Sequence, residues 1–163
     1  MQVQLEPVII IGAGPAGLAT ALQLKRYGLA ARLLERDAIG GLLRNANLVE
    51  NYPGFPGGIS GADLVRRFAE QANTISVDVT YEEVSELAYE SDCFQVKTSA
   101  HTYNSRIVVI ASGTRPRQLI DVRVSRTLHD KVLYEIHTIA HVVKKRIVVL
   151  GAGDAAFDYA LNL

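Results

Sequence analysis

Val8-Ile9-Ile10-Ile11 is an uninterrupted β-branched run, apolar at every position and closed by Gly12. A short run of this kind predicts a strand buried on both faces of a parallel sheet. Leu18, Ala19, Ala21, Leu22 and Leu24 then recur at helical spacing up to Tyr27-Gly28, where glycine predicts a C-terminal stop. A second strand is expected over Ala31 to Leu34, ending at Glu35, followed by a loop-rich stretch. From Ser60, an expected N-cap, Ala62 to Ala72 reads as a helix. Leu64, Val65, Phe68 and Ala69 share one face, and Arg66, Arg67, Glu70 and Gln71 lie outside it. Ser76 to Tyr81 alternates as a strand. Val84 to Leu87, Phe94 to Lys97 and His101 to Tyr103 predict a meander, and Arg106 to Ile110 and Ile147 to Leu150 predict two further buried strands. Helical periods alternating with β runs of this type imply an α/β fold.

The chemistry starts where the first strand ends. Gly12-Ala13-Gly14-Pro15-Ala16-Gly17 fits G-x-G-x-x-G between a strand and a small-residue helix. Gly12 makes the tight turn, Gly14 lets the backbone approach a pyrophosphate, and Gly17 permits close helix packing. Pro15 and Ala16 carry the first helical turn, whose free N–H groups face the anion. Glu35 stands 18 residues after Gly17, placed to accept from a ribose diol, with Arg36 beside it. Strand, glycines, helix, second strand and acid in this order point to a dinucleotide site. The pattern returns as Gly151-Ala152-Gly153-Asp154-Ala155-Ala156 after Ile147 to Leu150, 139 residues on, with 12 residues following Gly151.

Composition narrows the class. The chain has 163 residues, 48% hydrophobic and 21% charged, as in an ordinary globular domain. Seventeen basic residues balance seventeen acidic ones, so no electrostatic footprint for nucleic acid or anionic lipid is expected. No basic leader and no long apolar run is present, which makes cytoplasmic residence the expectation. The single Cys93 excludes a disulfide or dithiol within these residues and is read as a structural thiol. His137 and His141 share a helical face at i, i+4, but they and His129 lack the remaining ligands of a metal site and are read as solvated or core-edge histidines. Metal: none.

Gly40-Gly41-Leu42-Leu43 and Glu50-Asn51-Tyr52-Pro53-Gly54, following an acid-ended second strand, resemble the flavin domain of the thioredoxin reductase family. Arg106 to Pro116 is similar to the segment that closes that domain, with Ser112 where Thr is usual. The resemblance implies a three-layer FAD-binding Rossmann-like domain with a parallel sheet and β-meander, plus an incomplete second Rossmann unit. It makes the first dinucleotide FAD. Gly40 and Gly41 would then lie along the flavin and its ribityl-phosphate arm, Asn51 would reach the isoalloxazine, and Arg44 and Asn45 would sit close to it. Leu42 stands where the family more often has Gln, which removes a polar flavin contact. The chain near Glu83 and Val84 would border the adenine through its backbone, and Ala111, Ser112 and Gly113 would pass the FAD phosphates. Gly151, Gly153, Asp154 and Ala155 would open an NAD(P)H site, with NAD and NADP not distinguished.

The expected organisation is an FAD-binding domain over 1–115 that lacks its C-terminal return segment, a linker over 116–146, and the truncated start of an NAD(P)-binding domain over 147–163. The implied activity is hydride transfer from NAD(P)H to flavin and on to an unnamed acceptor, protein or small molecule, with a homodimer as one assembly. The chain by itself is expected to be truncated and inactive. Two alternatives stand beside this reading: a type-2 ferredoxin or flavodoxin NADP reductase-like enzyme, and a non-catalytic FAD- or NAD-binding module completed by a partner chain. No side chain qualifies as a catalytic acid, base or nucleophile.

Overall fold

The structure, a computed structural model, describes residues 5–117, 123–137, 139 and 144–163. The chain divides into two compact units, one of 1–43 and 64–113, the other of 44–63 and 114–163.

In the first unit the β-branched runs do what their pattern demands. β2 (Ile9–Ile11) forms a parallel sheet with β3 (Arg32–Glu35), β4 (Val79–Tyr81) and β8 (Val108–Ile110), in the order β4-β3-β2-β8. Ile9, Ile10 and Leu33 have no exposed surface. β1 (Leu5–Glu6), β5 (Val84–Glu90), β6 (Cys93–Thr98) and β7 (Thr102–Ser105) form a second sheet, β1-β7-β6-β5, in which β5, β6 and β7 are the meander and β1 runs parallel to β7.

The two sheets meet through a cluster of Ile9, Leu34 and Val96, against which Ile11, Val84, Leu87, Tyr103 and Val108 pack. That uses one face of the parallel sheet. Ile10 and Leu33 point to the other, where α1 (Pro15–Arg26) returns over β2 after the glycine turn, burying Leu18 and Ala21. The chain is thus α/β and Rossmann-like, with both faces of its parallel sheet covered.

Two boundaries differ from the pattern. The stretch from Ser76 is strand only from Val79, because the chain first has to leave α2 (Gly61–Thr74): the Ser76 and Val77 N–H groups bond the Asn73 and Ala72 carbonyls, and Ser76 takes φ 55°. The second difference is larger. Ile147 to Leu150, expected as a buried strand, forms no ladder, and Val148 is 81% exposed. A strand of this type needs neighbours on both edges and cover on both faces, and the described residues place none around it.

In the second unit, Val49 and Ile59 form an antiparallel bridge that closes the loop carrying Asn51-Tyr52-Pro53-Gly54. Ser60 Oγ accepts from the Asp63 N–H at 3.1 Å, the cap expected of it. A 3₁₀ helix covers Arg126–Lys131, and α3 (Asp154–Asn162) starts from Gly153.

Candidate functional site

Four segments of the first unit converge at the carboxyl end of its parallel sheet, the end at which open α/β sheets bind ligands. The first is the glycine turn. Gly12 has φ +102°, and a Cβ there would lie 2.5 Å from the Ala111 carbonyl oxygen, so only glycine fits between β2 and the chain leaving β8. A Cβ on Gly17 would overlap the Gly12 carbonyl oxygen. Gly14, the N-cap of α1, has open space in front of it, no side-chain cap and no acidic residue in the first turn behind it. Pro15 opens the helix at the position where its missing N–H costs nothing, and Ala16 gives its carbonyl to Thr20.

The second segment is the end of β3. Glu35 is 9% exposed, and its Oε2 accepts the Ala13 N–H at 2.7 Å while Oε1 accepts the Asp37 N–H at 3.0 Å. Acid and glycine turn are therefore joined directly. An ionised carboxylate still has lone pairs left for hydroxyl donors. Arg36 follows it and is exposed.

The third segment, Gly40-Gly41, docks on the turn: the Gly40 N–H bonds the Ala13 carbonyl at 2.9 Å, and a Cβ on Gly41 would stand 3.7 Å from Gly14 Cα. Leu42 continues into the 3₁₀ helix Gly41–Asn45. The fourth is Ala111-Ser112-Gly113, held by the Ala111 N–H to Ile11 carbonyl bond of 2.9 Å. Val84 opens β5, and its side chain packs into the intersheet cluster, leaving only its backbone for a ligand.

This constellation suits a dinucleotide. An open helix start is the kind of place where anions bind, and a carboxylate beside it is an acceptor for hydroxyl donors. The donor set is that of phosphate and sugar. Among the described residues no group of His, Cys, Asp or Glu gathers as a metal site, and no helix is long and apolar enough to cross a membrane.

Asn45 and Asn51 lie in the second unit. Asn45 is 2% exposed, and its Oδ1 accepts the Ile136 and His137 N–H groups at 3.1 and 3.0 Å. Its carbonyl accepts from Asn162 Nδ2 at 2.8 Å, while its own Nδ2 finds no partner among the described residues. This anchoring of a segment ninety residues away has no signal in the sequence, since only folding brings the two together. Asn51 is exposed in the bridged loop, where the Tyr52 and Phe55 rings pack 6.5 Å apart. His137 Nδ1 lies 3.2 Å from Glu135 Oε2, and His129 is exposed; His141 is outside the described residues. Cys93, half-buried, donates to the Ser105 carbonyl at 3.4 Å.

The second glycine motif, also in this unit, has Gly153 as N-cap of α3, with Asp154 and Ala155 in its first turn. Gly151 has φ +148°, and the Ala156 N–H bonds the Gly153 carbonyl.

The model of the pyridine nucleotide-disulphide oxidoreductase family matches residues 6–163. The chain belongs to that family. Among its relatives, the thioredoxin reductase of Borreliella burgdorferi is 34% identical over 127 residues, 78% of this chain and 39% of that protein. The crystal structure of Lactococcus lactis thioredoxin reductase superposes with a TM-score of 0.65 at 30% identity, covering 72% of this chain and 38% of that one. A ferredoxin-flavin thioredoxin reductase from Clostridium acetobutylicum gives 0.66 at 26% identity, covering 72% and 40%. This member of the family thus spans about two fifths of the length of the curated thioredoxin reductase it matches. The Rossmann-like fold is the one these neighbours share.

Proposed function

We propose that the first unit binds FAD and that the chain serves a flavin-dependent, thioredoxin reductase-like NAD(P)H oxidoreductase. The observation that carries this reading is the bond from Ala13 N–H to Glu35, which sets the ribose acceptor beside an open helix N-terminus while Gly40-Gly41 closes on the same turn. In this reading the Gly12 to Gly17 turn and Ala111 to Gly113 receive the pyrophosphate, Glu35 and Arg36 the adenosine side, and Gly40, Gly41 and Leu42 the arm towards the flavin. For Asn45 and Asn51, of the second unit, the flavin-ring role rests on the family resemblance alone. The flavin, when bound, supplies acceptance of hydride from NAD(P)H and its onward release as electrons. The protein's share is binding, orientation and exclusion of water.

Gly151, Gly153, Asp154 and Ala155 are proposed as the start of the NAD(P)H site. A second reading is an enzyme of the ferredoxin or flavodoxin NADP reductase type, with the acceptor a redox protein. The test is the visible spectrum of the purified chain after incubation with FAD and gel filtration. Retained flavin bands are the expected result, and a colourless protein overturns FAD binding. Bleaching of those bands by NADH or NADPH then reports whether the chain alone completes the hydride step.

A further inference from the structure

Beyond the residues that meet a dinucleotide, the first unit contains a polar cluster that straddles its two sheets. It is built around Glu82, in the two-residue connector between β4 and β5. The Glu82 carboxylate collects three side-chain bonds, from Thr98 Oγ1 at 2.5 Å, His101 Nδ1 at 2.8 Å and Tyr103 Oη at 3.0 Å. The Tyr103 ring lies under the Arg32 guanidinium, 4.6 Å from its centroid. Arg32 is in turn bound to Glu6 at 2.6 and 2.9 Å and to Thr80 at 3.2 Å. Arg32 and Thr80 belong to the parallel sheet, and Glu6, Thr98 and Tyr103 to the meander sheet.

The position of this cluster is what gives it consequence. In the parallel ladder Glu35 is paired with Tyr81, so the last residue of β4 stands beside the ribose acceptor, on the same face of the sheet. Tyr81 is 58% exposed there. With a pyrophosphate at the end of β2 and a ribose at the end of β3, the next strand end along the sheet is that of β4. Among the backbone bonds of the connector are those from the Glu82 N–H to the Thr80 carbonyl and from the Ser99 N–H to the Glu83 carbonyl. The Glu82 carboxylate ties the connector to Thr98, His101 and Tyr103.

We propose that Glu82 is a positioning residue for the purine end of the dinucleotide: through Thr98, His101 and Tyr103 it holds the 81–84 turn in the shape that faces the base. Glu82 touches no ligand itself. The inference rests on the dinucleotide reading above, and the test separates the two.

Binding of FAD, ADP and FMN to the 163-residue chain is measured by calorimetry for wild type, Glu82→Gln and Tyr103→Phe. FMN lacks the adenylate and serves as the internal control. Glu82→Gln is expected to weaken FAD and ADP about tenfold and Tyr103→Phe about threefold, with FMN within about twofold in both, because a misplaced wall costs only the group it faces. Tyr103→Phe keeps the ring under Arg32 and carries the test if Glu82→Gln fails to fold. Unchanged FAD and ADP affinity in folded variants, or equal losses for ADP and FMN, overturns the positioning role and leaves the dinucleotide reading standing. A wild type that binds neither FAD nor ADP overturns both.

Discussion

The two glycine motifs of this chain begin alike, Val-Ile-Ile-Ile-Gly-Ala-Gly and Ile-Val-Val-Leu-Gly-Ala-Gly, and end differently. In the first, Ile9 and Ile10 are fully buried, β2 is paired on both edges, and the turn is enclosed by Ala111, Gly40 and Glu35. In the second, Ile147, Val148, Val149 and Leu150 are 45, 81, 39 and 63% exposed, no strand forms, and α3 starts from a Gly153 at which an added Cβ would meet nothing within 4 Å. The helix start is local and forms in both places. The strand, the sheet cover and the acid at the neighbouring strand end are tertiary, and among the described residues they are seen at the first motif.

The contrast is tested most strongly in the strands. Ile10→Ala is expected to cost about 2–5 kcal/mol in urea unfolding, and Val148→Ala no more than about 0.5 kcal/mol; similar costs for the two would break the comparison. The turns come next. Gly12→Ala must place a side chain at φ +102° against a carbonyl oxygen, for about 2–4 kcal/mol and loss of FAD retention. Gly153→Ala, at φ −94° in open space, should stay under about 1 kcal/mol. For the acids, Glu35→Gln is expected to weaken FAD about tenfold or more, the scale of a hydrogen bond to a charged group. Asp154→Asn should leave FAD affinity within about twofold.

The smallest effect concerns pH. The Thr98 hydrogen bond, opposed by burial and aided by His101 and Tyr103, holds the Glu82 carboxyl below its ordinary 4.5. A carboxyl lowered in the folded state adds stability above its unfolded value, and that stability disappears as the pH falls through the folded value. Wild type should thus lose more stability than Glu82→Gln on acidification below about pH 4.5, read from thermal midpoints over an acid series. Parallel midpoints for the two proteins would remove the carboxylate from the account. Burial also raises the Tyr103 hydroxyl above its usual range, with the Glu82 hydrogen bond adding to it, so the phenol remains a donor to Glu82 at neutral pH.

Much of the first unit was legible because its signals are short-range. β-branched runs, glycine spacing and the period of Leu64, Val65 and Phe68 are readable from neighbours within one or two turns. Positions that depend on distant partners were not. Arg32 carries no local signal of the β1, β4 and β7 side chains that assemble around it, and Asn45 none of the 136–137 segment that it anchors. Nothing in the sequence around Glu82 signals the side chains that gather on it. The candidate site lies between these cases: Gly12, Gly14, Gly17 and Glu35 were nameable from spacing, whereas the bond from Ala13 to Glu35 and the docking of Gly40 on the turn had to be seen.

By itself, the sequence determined the class of fold, the place of the glycine turn and the acid that follows it, because strand period, helix period and glycine geometry are local properties of the chain. Which of its two glycine motifs became an enclosed turn, and which polar side chains lock the meander to the parallel sheet, was decided only in the tertiary structure. Burial of a strand and satisfaction of a buried charge need partners from elsewhere in the chain. Ile147 to Leu150 has the composition of a core strand and, among the described residues, no ladder neighbours. Ile9 to Ile11 has both.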